Sequence, residues 1–164
     1  MQLAKITRPQ EEIQTLKRFI ENQGDKFISE LAVQDRSKIN EPSDVSYKGI
    51  EYQITYGDQK FLEHRRKINS IRKGNSNVGE SCVGIRSFAE IDYPKILLET
   101  ALKNKKDKSD NKTSLLIDCI CTPYVSLLEI KTICKKYFND NEQKIGGLWQ
   151  HIFIVFSCDN VQLR

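Results

Sequence analysis

The chain has 164 residues, a formal net charge of +4, 38% hydrophobic and 29% charged residues. That length suits one domain spanning 1–164 with a real hydrophobic core. The mildly basic balance permits a nucleic-acid partner without requiring one.

Residues 8–36 read as helix. Pro9 suits the first turn, Glu11 and Glu12 complement the positive helix end, and Ile13, Leu16, Ile20, Phe27, Ile28 and Leu31 recur at helical spacing. Gly24 invites a split into two helices, the second capped by Asp25. A polar loop, Lys38 to Ser43, leads into Pro42–Asp58, which reads as two strands joined at Lys48-Gly49. Alternation puts Ile50, Tyr52, Ile54 and Tyr56 on one face of the second strand and Glu51, Gln53 and Thr55 on the other. Asp44, Glu51 and Gln53 form a polar set able to converge on a divalent metal ion.

Gln59 to Lys73 reads as a helix with a basic outer face, carrying Lys60, Arg65, Arg66, Lys67, Arg72 and Lys73. Residues 74–90 read as a loop with a short strand near Cys82 to Phe88. A helix opens at Asp92 or Tyr93, with Pro94 in its first turn and Ile96, Leu97, Thr100 and Ala101 inward. The lysine-rich run 103–112 reads as a solvated loop. Ser114 to Cys121 is a continuous apolar run suited to a central strand covered on both faces, with one buried acid, Asp118. Val125 to Phe138 is an amphipathic helix, Asn139 to Gly147 a loop, and Leu148 to Ser157 the last strand. The helix between the two late strands predicts a parallel crossover. The whole predicts an α/β fold: a three-layer α/β/α sandwich around a central mixed sheet of roughly four or five strands.

The five cysteines, Cys82, Cys119, Cys121, Cys134 and Cys158, show no CxxC spacing, and the only histidines are His64 and His151. That argues against a zinc site. No signal-peptide core or membrane-length apolar window is present, so a cytoplasmic setting away from the membrane is expected.

Asp44 and Glu51-x-Gln53 on an early hairpin, within this order of elements, resemble the PD-(D/E)XK nuclease superfamily, whose fold is restriction-endonuclease-like. The resemblance spans about residues 10–157 and rests on short motifs. It implies that Asp44 matches the aspartate of the PD element, here with the proline one residue further away as Pro42-Ser43-Asp44. It implies that Glu51 matches the second acid and that Gln53 stands where lysine is usual. Glu30 is the match for an acid that such families place on the first helix, and Lys95 and Lys103 are candidates for a lysine migrated to the helix after the hairpin.

The implied activity is Mg²⁺-dependent hydrolysis of phosphodiester bonds in DNA, with Mn²⁺ as a substitute ion and a restriction- or homing-type homodimer as the assembly. Asp44, Glu51 and Glu30 are then metal ligands, Gln53 orients a water, and the basic run from Lys60 to Lys73 contacts phosphates. The alternative is a catalytically inactive module of the same fold that binds nucleic acid or protein.

Overall fold

A computed structural model describes residues 7–34, 43–57, 99, 101–119 and 127–164. Among the described residues the fold is α/β: one mixed six-stranded sheet with helices packed on both faces. Strand order follows the chain, with β1 (Ala32–Val33), β2 (Val45–Tyr47), β3 (Ile50–Tyr56), β4 (Ser114–Asp118), β5 (Ile152–Val155) and β6 (Asn160–Gln162) side by side. The β1–β2, β2–β3 and β5–β6 pairs are antiparallel; β3–β4 and β4–β5 are parallel. The expected parallel pairing of the two late strands is therefore present. The strand total exceeds the expected four or five because β1 and β6 are edge strands of two and three residues, too short to show an alternating pattern.

Helix α1 (Arg8–Asn22) covers one face. Leu16, Phe19 and Ile20 pack on Val45, Tyr47, Tyr52, Ile54, Leu116 and Val155. Phe19 meets Phe153 with ring centroids 4.8 Å apart. The other face is covered by α2 (residues 101–105), α3 (Leu127–Asp140) and α4 (Glu142–Ile145). There Ala101, Cys134, Phe138, Ile145 and Trp149 pack on Leu115, Ile117, Ile152 and Ile154. Strand β4 lies between the two layers, and all five of its residues are buried. A strand enclosed on both faces has no solvent face to keep polar, which is why its middle, Leu115–Ile117, is uninterrupted apolar sequence.

The helix expected over residues 8–36 stops at Asn22. Gly24 takes φ +84°, its N–H bonds the carbonyl of Glu21, and the N–H of Asp25 bonds that of Ile20. This paired closure satisfies the last carbonyls and turns the chain out of the helix axis. No second α-helix follows among the described residues up to Gln34. A 3-10 turn at Ser29–Leu31 leads straight into β1. The Lys48-Gly49 turn is as expected, with positive φ at both residues (51° and 79°), the twist that suits a two-residue hairpin.

Two further segments differ from expectation. The helix before β4 continues through Lys105 and a 3-10 turn at Lys106–Lys108, where a solvated loop was expected. Strand β5 begins at Ile152 rather than Leu148, and Trp149 is a core residue only 1% exposed. The expected basic helix at 59–73, the loop at 74–90, the start of the helix near Asp92, and Cys121 lie outside the described residues. Among the described residues no helix is long and apolar enough to cross a membrane.

Candidate functional site

The register Val45↔Tyr52 and Ser46↔Glu51 sets the site. Alternation along β3 puts Glu51 and Gln53 on one sheet face. Asp44 sits in a bend immediately before β2. The Asp44 N–H bonds the Tyr52 carbonyl at 2.9 Å, so Asp44 and Val45 both face Tyr52, as at a β-bulge. Its Oδ2 accepts the backbone N–H of Ile54 at 2.8 Å and the ammonium of Lys105 at 2.6 Å. The Lys105 side chain is 8% exposed and that of Asp44 21%, so this pair is held largely out of water. Such a charge-assisted bond is stronger than a neutral one.

Glu51 is exposed, and its Oε2 accepts a hydrogen bond from the hydroxyl of Ser43, the residue before Asp44. That bond swings the Glu51 carboxylate along the hairpin toward the Asp44 end. Gln53 is fully buried, and both ends of its amide are engaged. Its Oε1 accepts the indole N–H of Trp149 at 2.7 Å, and its Nε2 donates to the carbonyl of Lys108. Gln53 is thus a bridge between β3 and the segment after α2, away from solvent.

Lys105 was not singled out in the sequence. A signal was available, because Ala101 was read as inward-facing and Lys105 lies four residues on, on the same helix face. The dense lysine run made that turn look solvated. Lys103 is exposed, and Lys95 lies outside the described residues. Glu30 sits exposed in the 3-10 turn before β1, not on α1. Among the described residues no three of His, Cys, Asp or Glu come together as a metal-binding group. Asp44 and Glu51 are two carboxylates, a number that magnesium can use while keeping several waters. Glu30 adds no third ligand to them. The basic residues from Lys60 to Lys73 lie outside the described residues.

A second polar cluster lies on the opposite face, where α1 crosses the ends of β3 and β4. Asp118 Oδ2 accepts the Thr15 hydroxyl at 2.6 Å and Arg18 Nη1 at 3.2 Å. The Tyr56 hydroxyl donates to Glu11 at 3.2 Å, and buried Glu12 meets Arg8 and Gln34 at 3.3 Å each. Burial first, then the negative charges of Glu11 and Asp118, push the Tyr56 phenol well above its ordinary pKa. Asp118, expected to be a buried acid, is one. Its partners on α1 make it a fastening between helix and sheet.

No protein-family model, no curated protein and no solved structure matches the chain.

Proposed function

We propose that this protein is a metal-dependent hydrolase of phosphodiester bonds in DNA, of the PD-(D/E)XK type, with Asp44 and Glu51 as its acids and Lys105 as its cation. The observation that carries the reading is the 2.6 Å contact between Lys105 and Asp44, whose neighbour Ser43 donates to the Glu51 carboxylate. Asp44 and Glu51 would hold a magnesium ion. When bound, that ion supplies Lewis-acid polarisation of the phosphate and a nucleophile at neutral pH.

The side chains would divide the remaining work. The Ile54 N–H and Lys105 fix the Asp44 carboxylate before any substrate arrives. Lys105, turned from Asp44 to the phosphate, would offset the negative charge that develops there. Exposed Lys103, Lys106 and Lys108 on the same segment, together with Lys60, Arg65, Arg66, Lys67, Arg72 and Lys73, would neutralise flanking phosphates without reading sequence. A homodimer would place one site on each strand of a duplex.

One observation favours a second reading, a nuclease-like module that binds nucleic acid or protein without cutting. Gln53, at the position of the usual lysine, is committed to Trp149 and Lys108. Incubation with supercoiled plasmid, with and without Mg²⁺ or Mn²⁺, separates the two. Metal-dependent nicking that is lost in Glu51→Ala, Asp44→Ala and Lys105→Met is expected of the hydrolase. Retained binding with no cleavage of any DNA or RNA would leave the binding module.

A further inference from the structure

We infer that Gln53 is a positioning residue for Lys105: it pins the turn that follows α2 and thereby holds the Lys105 ammonium on Asp44. The catalytic weight of this role rests on the hydrolase reading above; the positioning itself does not.

The argument starts at Trp149. Its indole N–H can only donate, and the residue is 1% exposed, so it requires a buried acceptor. Gln53 Oε1 is that acceptor at 2.7 Å. With the oxygen end of the amide fixed on Trp149, the NH₂ end must face the other way, and there it meets the carbonyl of Lys108. Lys108 closes the 3-10 turn Lys106–Lys108, which begins at the residue after Lys105. The segment is therefore held to the hairpin at two points. Gln53 holds its main chain at residue 108, and Asp44, whose carboxylate also accepts the N–H of Ile54 next to Gln53, holds its side chain at residue 105.

A lysine at position 53 could not make this bridge. An ammonium has three donors and no acceptor, so it would oppose the indole N–H donor to donor. The glutamine in the motif and the lysine arriving from α2 are thus parts of one arrangement. The first frees the motif position from carrying charge, and the second brings the charge in from the helix.

Lys105 is only 7% exposed, so its amine is shielded from reagents that exposed lysines meet freely. Acetylation of the folded full-length chain with acetic anhydride, followed by peptide mass spectrometry, reads that shielding residue by residue. Exposed Lys103 and Lys106 serve as internal standards. Gln53→Met keeps the side-chain length and removes both hydrogen bonds. It is expected to raise the Lys105 rate about tenfold, as loss of an ordinary hydrogen bond's restraint would, with Lys103 unchanged. Asp44→Asn is expected to do the same. Trp149→Phe removes only the indole bond and is expected to give a smaller rise. It carries the test if Gln53→Met does not fold.

An unchanged Lys105 rate in folded Gln53→Met overturns the inference, as does an unchanged rate in Trp149→Phe where that variant alone folds. Plasmid cleavage measured on the same samples keeps the two ideas apart. A wild type that never cuts, with Lys105 unmasked in Gln53→Met, retains the positioning role and removes the hydrolase reading. A wild type that cuts, with Lys105 unmoved in Gln53→Met, does the reverse.

Discussion

The bond between Thr15 and Asp118 fastens α1 to the central strand, and its contribution follows from its surroundings. The hydroxyl has one proton and two acceptors in reach: Asp118 Oδ2 at 2.6 Å and the Glu11 carbonyl at 3.1 Å. The shorter, charge-assisted contact takes the proton. Thr15 is 1% exposed and Asp118 7%, so water competes weakly. A hydrogen bond to a charged group is worth about 1.5–3 kcal/mol. Thr15→Val removes it but puts a buried methyl in its place, which returns up to about 0.8 kcal/mol. The net expected loss is about 1–2 kcal/mol. In an Asp118→Ala background the hydroxyl has lost its strong acceptor, and Thr15→Val should cost nearly nothing. Urea unfolding of the four proteins gives the coupling directly. An equal cost of Thr15→Val in both backgrounds, within about 0.5 kcal/mol, would refute the argument.

Other outcomes follow from single features. Gly49→Ala meets no neighbouring atom within 4 Å, yet φ is +79° there, so a loss of about 1–2 kcal/mol in denaturant unfolding is expected from backbone strain alone. Tyr56, with its pKa raised by burial, holds its proton in the native state when the unfolded chain has released it. Its contribution is complete below pH 10.0, the ordinary tyrosine value, and is lost as pH rises further. Alkaline unfolding curves should therefore flatten in Tyr56→Phe. The hydrogen bond from Lys131 holds the Asp159 carboxyl below its ordinary value, so its contribution is present at neutral pH and lost in acid. Lys131→Met should raise the Asp159 titration midpoint by NMR and cost less than about 1 kcal/mol, because the pair is solvent-screened. Burial pushes the Cys134 thiol up to about 12, whereas Cys158 is exposed. A thiol reagent at pH 8 should label Cys158 and leave Cys134 untouched in the folded protein.

Much of the architecture was legible because it depends on local pattern. The run Leu115–Ile117, with Cys119 to Cys121 after Asp118, reads as a covered strand because no alternating polar face interrupts it. The alternation across Ile50–Tyr56 fixed which residues look toward α1 and which toward the other layer. Lys48-Gly49 fixed the hairpin and hence its register, which sets Glu51 opposite Ser46.

The edge strands were not legible. Two or three residues carry no period, and β1 and β6 exist because a neighbouring strand offers them a ladder. The end of α1 was legible only as a choice at Gly24; packing after the turn decided against a second helix. The sequence by itself determined which polar residues the hairpin carries, Asp44, Glu51 and Gln53. Only the tertiary structure decided what Gln53 does. A side chain's local pattern says which face it occupies, but not which distant group meets it there. Gln53 joins Trp149, 96 residues away, and Asp44 joins Lys105, 61 residues away. Those pairings arise from helix and sheet layers closing over the hairpin, and no periodicity in the chain encodes them.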